Sequence, residues 1–328
     1  MASCYSVVVP IFNEAEVLPT LYQRLRKVME AVGEPYELIF VNDGSTDQSP
    51  GLLLDLRAQD PCVKVVSFSR NFGHQIAITA GLDYSSGDAV IVMDGDLQDP
   101  PEVIPELVAQ WRAGNEIVFA VRANRNGDAF FKRITASLFY RILGRLTTTQ
   151  IPVDAGDFRL MSRVAVEALK PIRERNRFVR GLVGWIGFRH TSIRYVRDSR
   201  FAGTTKYPLT KMIQFALNGI FSFSLLPLQL ATYLGLTVSL ISFIYLAYAV
   251  WLKVFTTRAV QGWASVIVAV LFMGGVQLVS LGIVGEYIGR IYEEVKQRPL
   301  YLVDSLAGFE KVSPQSEAAP PYSAVART

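Results

Sequence analysis

Short apolar runs alternate with amphipathic stretches along the first half of the chain. Five runs rich in Val, Ile and Phe read as buried strands: Tyr5–Ile11, Leu38–Asn42, Val63–Phe68, Ala89–Asp94 and Ile117–Val121. Between them, apolar residues at helical spacing predict four helices: Glu14–Val32, Gln48–Gln59, His74–Tyr84 and Glu102–Arg112. This alternation predicts an α/β domain with a Rossmann-like, mostly parallel sheet and helices on both faces. Ligands of such sheets bind beyond the carboxyl ends of the strands.

The second half of the chain contains two long uncharged stretches. Met212–Leu252 has no Asp, Glu, Lys or Arg; as one helix it would be about 60 Å long, roughly twice the hydrocarbon thickness of a bilayer. The stretch must therefore break, and Gly219 and Pro227 are the natural places. We predict an amphipathic helix in the membrane interface and then two transmembrane helices, over Leu209–Phe223, Leu226–Leu252 and Ala259–Gly285 respectively.

Positive charge is distributed unevenly around these two spans. Lys and Arg are frequent before the first span and after the second, whereas the connecting loop has only Lys253 and Arg258. Because cytoplasmic flanks carry the excess of Lys and Arg, both termini are predicted to be cytoplasmic. The Ser-, Pro- and Ala-rich tail after Asp304 is predicted to be disordered. The predicted division is a cytoplasmic α/β domain (1–205), an interfacial region (206–224), a two-span hairpin (225–289) and a C-terminal segment (290–328).

Composition and the start of the chain add four limits to this description. The net charge of +4 suits anionic lipid headgroups or phosphorylated substrates, but it is too small to argue for nucleic acid. Cys4 and Cys62 lack metal-ligand spacing, which indicates a reducing compartment without a disulfide framework. The start of the chain lacks the basic region of a signal peptide. The two histidines, His74 and His190, do not support a zinc site, although His74 at a helix start could approach a ligand.

Two carboxylates close the fourth predicted strand. Asp94-Gly95-Asp96 follows an apolar strand and precedes the helix that begins Asp-Pro-Pro-Glu. Burying two unpaired carboxylates would be very costly, so a divalent cation bridging to diphosphate oxygens is their natural partner. The alternative for an isolated Asp-x-Asp is a surface turn. Gly95 lets the backbone turn and approach a ligand closely.

Two further strands end in polar clusters at the same predicted edge. The first ends in Pro10, Asn13 and Glu14, where Asn13 is equally suited to capping the next helix. The second is followed by Asp43, which could accept hydrogen bonds from a uracil or a ribose, and by Asp47, which suits a helix cap. Polar clusters at three strand ends on one edge of the sheet are together far more specific than any one of them.

These segments resemble glycosyltransferase family 2, which has the GT-A fold. The resemblance is carried by VVVPIFNE, VNDGSTD and VMDGDLQDPPE, in that order. VDAGDFRLMSR at Val153–Arg163 and the paired spans are similar to polyprenyl-phosphate sugar transferases, the bacterial relatives of dolichol-phosphate mannose synthase. The pattern most resembles the bactoprenyl-phosphate glucosyltransferases that modify lipopolysaccharide O-antigen.

The resemblance implies a reaction and its partners. The implied reaction transfers a sugar, for which the resemblance favours glucose, from a UDP-sugar to polyprenyl (undecaprenyl) phosphate with inversion at the anomeric carbon. It takes place at the cytoplasmic face of a bacterial inner membrane and uses Mg²⁺ or Mn²⁺. Galactose, N-acetyl sugars and an aminoarabinose derivative remain open, as does a homo-oligomer such as a tetramer. A lipid phosphate is largely dianionic at neutral pH, because its second pKa is about 6, so it does not need a strong general base.

The resemblance also assigns roles to residues. Asp94 and Asp96 match the catalytic metal and diphosphate motif. Asp157 falls where inverting members carry an acid beneath the sugar; Asp154 is a rival for that role, and Arg159 could pair with either. Residues matching donor contacts are Pro10, Asn13, Glu14, Asp43, Asp94 and Gln98. Arg122 and Arg125 match a loop near the acceptor phosphate.

Two basic segments complete the predicted site. Phe130–Arg145 is either an ordinary amphipathic surface helix or a helix that binds the lipid phosphate through Lys132, Arg133 and Ser137. The loop Arg200–Tyr207 is either a positive flank of the membrane or a clamp on the departing diphosphate. Its cations are Arg200 and Lys206, and Thr205 stands where the family has serine.

Three other classes of protein fit the sequence less well. A processive polysaccharide synthase needs more spans and usually a Gln-x-x-Arg-Trp motif, which Asn176–Trp185 does not provide. The full set of acids argues against a non-catalytic membrane-tethered subunit that binds nucleotide-sugar. No Gly-x-Gly-x-x-Gly follows the first strand, which argues against a dinucleotide-dependent oxidoreductase.

Overall fold

The protein contains one eight-stranded sheet and two long apolar helices, which lie between the seventh and eighth strands along the chain. The computed structural model describes residues 3–122, 155–175, 177–196, 226–255 and 262–309. The strands are β1 (Tyr5–Ile11), β2 (Tyr36–Asn42), β3 (Val63–Phe68), β4 (Ala89–Val92), β5 (Ile117–Arg122), β6 (Ala155–Ser162), β7 (His190–Tyr195) and β8 (Val303–Ala307). The α-helices are α1 (Leu18–Val32), α2 (Ser49–Gln59), α3 (His74–Tyr84), α4 (Ile104–Arg112), α5 (Arg163–Leu169), α6 (Val179–Trp185), α7 (Leu226–Phe255) and α8 (Trp263–Val295).

The strand order is β7-β5-β6-β4-β1-β2-β3-β8. Four neighbouring pairs are parallel: β1 with β2 and with β4, β2 with β3, and β5 with β7. Strand β6 is antiparallel to β4 and β5, and β8 is antiparallel to β3. This is a mixed, mostly parallel sheet of the GT-A type, as the sequence predicts. The five predicted strands agree with β1 to β5 within two residues at each end.

Helices cover both faces of the sheet. On one face, alternate residues of β1 such as Val7 and Val9 join α1 and α4 in one buried apolar cluster. On the other face, α3 packs on β1 and β2. This contact is close, because a Cβ on Gly81 of α3 would lie 2.0 Å from Cγ1 of Val8. The carboxyl ends of the parallel strands are thereby held in register between two layers.

Several predicted boundaries are corrected. Helix α1 begins at Leu18, with Val17 rather than Asn13 at its N-cap, and β6, β7 and β8 were not predicted as strands. The tail was predicted to be disordered after Asp304, but residues up to Ala307 pair with β3 as β8. A strand forms there because β3 would otherwise leave its hydrogen-bonding edge unpaired.

The chain divides into two compact units, Met1–Lys211 with Arg298–Thr328, and Met212–Gln297. Within the second unit, α7 and α8 are long and apolar enough to cross a membrane, over Pro227–Tyr245 and Phe272–Val295. The interfacial helix predicted over Leu209–Phe223 lies outside the described residues.

Candidate active site

Hydrogen bonds join the loops that follow β1 and β2. Asn13 adopts a left-handed backbone conformation (φ 54°). Its N–H donates to Ser45 Oγ at 3.0 Å, and its Oδ1 accepts from the Thr46 N–H at 2.8 Å. The N–H of Glu14 donates to Ser49 Oγ at 3.1 Å. Asn13 therefore links two strand ends instead of capping α1.

The Asp43 carboxylate holds the backbone that leads into α3. Its Oδ1 accepts from the Phe72 N–H at 2.7 Å, and its Oδ2 accepts from the Gly73 N–H at 3.0 Å. Gly73 has φ 102°, a conformation that favours glycine, and it is followed by His74 at the first position of the helix. Burial raises the pKa of Asp43 above its ordinary value, although these hydrogen bonds act in the opposite direction and lower it. Asp43 thus sets where α3 begins, and its predicted contact with a nucleotide stays a prediction.

The loop after β4 is packed tightly against β1. A Cβ on Gly95 would lie 2.8 Å from Ile11 Cδ1 and 2.9 Å from the carbonyl oxygen of Pro10. Asp96 Oδ1 accepts a hydrogen bond from the Gln98 N–H at 3.1 Å, across Leu97, which has φ 58°. The glycine is therefore required by its contact with β1, and the strained turn places Asp94 and Asp96 beyond the strand end.

Asp157 of β6 lies at the centre of a buried cluster of hydrogen-bond donors. It is 1% exposed. Its Oδ1 accepts from Arg159 Nη2 at 2.9 Å and from Arg180 Nε at 3.0 Å. Its Oδ2 accepts from Arg180 Nη2 at 2.8 Å and from Gln75 Nε2 at 3.3 Å, and lies 3.3 Å from His74 Nε2. Arg159 thus pairs with Asp157; its rival Asp154 lies outside the described residues.

The cluster stays charged despite its burial. Burial raises the pKa of Asp157, but the charge of Arg180 and hydrogen bonds from His74 and Arg180 outweigh it and hold that pKa well below its usual range. Burial lowers the pKa of Arg159 to about 10, although Asp157 opposes the change. Burial also disfavours the charged form of His74, yet its contacts with Asp157 and Asp94 raise its pKa well above the ordinary value.

His74, Asp94 and Asp157 form a group that could hold a metal ion. One ligand atom of each lies within 4.8 Å of the others. Asp94 Oδ1 is buried, lies 3.3 Å from His74 Nε2, and accepts no hydrogen bond from the described residues. Such an oxygen fits a hard divalent cation. Asp157 fits less well, because two guanidinium groups already satisfy its oxygens. Asp96, predicted from the sequence as a ligand, is outside this group of three.

Arg122 approaches the cluster from the end of β5. Its Nη2 lies 3.4 Å from the position a Cβ would take on Gly156, the residue before Asp157. Burial lowers the pKa of Arg122, but a hydrogen bond with Tyr195 and the charges of Asp99 and Asp94 outweigh it and raise that pKa above its ordinary value. The predicted acceptor residue is therefore beside the predicted catalytic acid.

Part of the predicted site cannot be placed. Arg125, Lys132, Arg133, Ser137, Arg200 and Lys206 all lie outside the described residues. Conversely, Arg180 and Gln75 bind Asp157 but were not predicted. A signal was present in Phe178–Trp185, where Arg180 is the one charge within an apolar run. A charge in such a position is usually paired when the run is buried.

Two family models match the chain. Glycosyl transferase family 2 matches residues 6–170, and the GtrB C-terminal hairpin matches residues 226–291. The sheet is of the GT-A type, acids lie beyond the ends of its strands, and the family model matches this part of the chain. The chain therefore belongs to glycosyltransferase family 2, and it is a glycosyltransferase.

The chain is also similar to individual proteins of this family. The chain is 46% identical over 298 residues to the SfII prophage-derived bactoprenol glucosyl transferase of Shigella flexneri, covering 91% of this chain and 96% of that one. It is 52% identical over 306 residues to the uncharacterized glycosyltransferase YkcC of Bacillus subtilis (strain 168), covering 93% and 95%. Among solved structures, glucosyl-3-phosphoglycerate synthase of Mycobacterium tuberculosis has a TM-score of 0.45 at 20% identity, covering 67% of this chain and 76% of that one. That likeness is too distant to bear on substrate or metal.

Proposed function

We propose that this protein transfers glucose from UDP-glucose to polyprenyl phosphate, with inversion, at the cytoplasmic face of a membrane. The observation that carries the proposal is the 46% identity to bactoprenol glucosyl transferases over 91% of the chain. The buried acid cluster of this chain supports it, because a buried, ionised Asp157 beside Asp94 suits an active transferase better than a subunit that only binds nucleotide-sugar.

The surroundings of Asp157 favour an electrostatic role over proton removal. A carboxylate that accepts hydrogen bonds from Arg159, Arg180 and Gln75 is a weak base. The acceptor is compatible with this, because a phosphate monoester is largely dianionic at neutral pH. We infer that Asp157 orients groups beneath the sugar and stabilises positive charge at the anomeric carbon.

Other residues of the chain supply binding and orientation. A divalent cation, Mg²⁺ or Mn²⁺, would be held by Asp94 and Asp96 and would neutralise charge on the departing diphosphate. Asn13, Glu14, Asp43 and Gln98 lie on loops at the same ends of the parallel strands, and Pro10 lies in the last residues of β1; a UDP-sugar would bind at this edge. Arg122, whose Nη2 approaches Gly156 next to Asp157, would bind the lipid phosphate. The two apolar helices, α7 and α8, suit an acceptor that resides in a bilayer.

A donor panel tests the proposal directly. Purified full-length protein is incubated with short-chain polyprenyl phosphate and, in separate reactions, with UDP-glucose, UDP-galactose, UDP-N-acetyl sugars and a UDP-aminoarabinose derivative. We expect a lipid-linked product with UDP-glucose, lost in EDTA and restored by Mg²⁺ or Mn²⁺. Unchanged turnover in EDTA would refute the metal requirement. A product formed only with another donor would show that the transferred sugar is not glucose. A polymeric product would indicate a processive synthase, and no lipid-linked product from any donor would refute the proposal.

A further inference from the structure

Asp99, Tyr195 and Arg122 lie together beside the candidate active site. The Tyr195 hydroxyl donates to Asp99 Oδ1. Burial lowers the pKa of Arg122, but the neighbouring Tyr195 hydroxyl and the charge of Asp99 outweigh burial and raise it. The three residues come from different elements: the loop between β4 and α4, the end of β7 and the end of β5. Arg122 and Tyr195 are register partners in the parallel pair of β5 and β7, so their side chains leave the same face of the sheet.

Asp99 and Tyr195 are rigidly held. Asp99 is 0% exposed and Tyr195 is 5% exposed. The Tyr195 ring packs edge-on against Phe158, with centroids 5.7 Å apart and an interplanar angle of 83°. Because burying a carboxylate and a hydroxyl is costly unless both are hydrogen-bonded, packing and hydrogen bonding together fix the position of the Tyr195 oxygen.

The guanidinium of Arg122 extends from this support toward the acid cluster. Its Nη2 approaches Gly156, next to Asp157. Its Nε is buried and donates no hydrogen bond to the described residues. A guanidinium held at one end, with donor capacity left, matches the planar, bidentate recognition of a phosphate.

We propose that Asp99 and Tyr195 are positioning residues that hold the Arg122 guanidinium where it binds the phosphate of the lipid acceptor. The identity of that acceptor rests on the proposed function above. Neither Asp99 nor Tyr195 touches substrate in this scheme; each acts through Arg122. The donor diphosphate is the alternative ligand for the same guanidinium. A change in the KM for polyprenyl phosphate indicates the acceptor, and a change in the KM for UDP-glucose indicates the donor.

The test begins with Tyr195→Phe in the full-length protein. The change removes one oxygen and keeps the ring, so Arg122 loses its support. We expect the KM for polyprenyl phosphate to rise about tenfold, while the KM for UDP-glucose changes less than twofold. Tyr22→Phe is the matched control, because Tyr22 is 8% exposed and donates to Asp60 Oδ2 at 2.9 Å. It should leave both KM values unchanged.

A double-mutant cycle distinguishes positioning from a general structural effect. In an Arg122→Ala background, Tyr195→Phe should add no further rise in the acceptor KM. Asp99→Asn should behave like Tyr195→Phe, and it replaces that variant if thermal melting shows that Tyr195→Phe does not fold.

Three results would overturn the positioning role. They are a rise in the UDP-glucose KM by the same factor, additive effects in the cycle, and an unchanged acceptor KM in variants that fold. Wild-type protein that is inactive on polyprenyl phosphate would instead refute the proposed function itself.

Discussion

At the scale of single residues, a buried charge is informative through its partners. Asp157 would be costly to bury alone, and its two oxygens are instead satisfied by Arg159, Arg180 and Gln75. This arrangement keeps the carboxylate ionised and oriented. It also means that a neutral residue of the same shape would remove the charge without emptying the space.

Asp157→Asn should lower kcat by about a thousandfold and leave both KM values nearly unchanged, because charge stabilisation is needed in the transition state. Steady-state kinetics with UDP-glucose and polyprenyl phosphate measure this. Asp83→Asn is the control, since Asp83 accepts from Arg173 at 2.7 Å in a separate ion pair. An increase in KM with unchanged kcat would make Asp157 a binding residue.

Gly95 shows how a motif residue can be fixed by packing. Gly95→Ala would press a Cβ against the Pro10 carbonyl and Ile11, so we expect a loss of about 1–3 kcal/mol in the free energy of unfolding. Gly51→Ala in α2 meets nothing within 4 Å and should gain about 0.5–1 kcal/mol from helix propensity. Denaturant unfolding compares the two, and equal effects would show that Gly95 has no packing constraint.

Glu37 gives a prediction for pH dependence. The residue is 4% exposed and lies 2.5 Å from Lys64 Nζ. Burial raises its pKa, but hydrogen bonds with Lys64, Ser6 and Ser86 outweigh burial and lower it below the ordinary value. A depressed pKa stabilises the fold above the unfolded pKa of about 4.3, and this contribution is lost as the pH falls through the folded value.

Glu37→Gln should therefore destabilise the protein by about 2 kcal/mol at neutral pH, and by progressively less below about pH 4. Unfolding free energies of wild type and variant across this range test the claim. Glu102→Gln removes an exposed ion pair with Arg24 and should change stability by about 0.5 kcal/mol or less at any pH. A difference for Glu37→Gln that widened in acid would contradict the assigned sign.

At the scale of elements, the first five strands are readable because each is an apolar run. Strand β6 is not, since buried Asp157 and Arg159 interrupt its apolar pattern. Strand β8 is mostly exposed and short, so its composition resembles a loop. Asp43, Asp94 and Asp96 were predicted for a similar reason, because they follow apolar strands in sequence, whereas Asp157 lies inside β6 and was predicted only from the family resemblance. Arg180 reaches Asp157 only through the tertiary fold. The apolar run around Arg180 indicates that its charge is paired, but it does not indicate with which residue.

We expect β8 and the residues just before it to stabilise the sheet. Tyr301 stacks on Phe68 with centroids 5.1 Å apart, and its hydroxyl donates to Asp83 Oδ2 at 2.8 Å. A chain ending at Arg298 loses these contacts and uncovers the edge of β3. We expect its melting temperature to fall by about 5–10 °C, because about 3 kcal/mol of stacking and hydrogen bonding is lost.

The matched control ends at Phe309, so that β8 and the Tyr301 contacts remain. Its melting temperature should equal that of the full chain. Equal melting of the two truncated chains would show that β8 contributes nothing to the stability of the sheet.

At the scale of the whole molecule, one chain carries a catalytic sheet and a pair of apolar helices. The second family match, residues 226–291, covers most of α7 and α8. If the substrates are those proposed, a water-soluble UDP-sugar and a bilayer-bound phosphate lie in different phases, and the enzyme would work where they meet. Under the proposed function, both ends of the hairpin and the catalytic unit lie on the cytoplasmic side.

Cysteine labelling tests that topology. Cys4 and Cys62 are first replaced by Ser, and a single cysteine is then introduced as Thr257→Cys between the spans or as Gln297→Cys after them. A membrane-impermeant maleimide added to intact spheroplasts should label Thr257→Cys alone, and permeabilisation should be required for Gln297→Cys. The reason is the charge distribution: the connecting loop has only Lys253 and Arg258, whereas basic residues are concentrated on the outer flanks of the hairpin. The reverse labelling pattern would place the catalytic unit outside the cytoplasm, away from UDP-sugar; labelling of both sites before permeabilisation would mean that the two helices do not form a membrane-spanning hairpin.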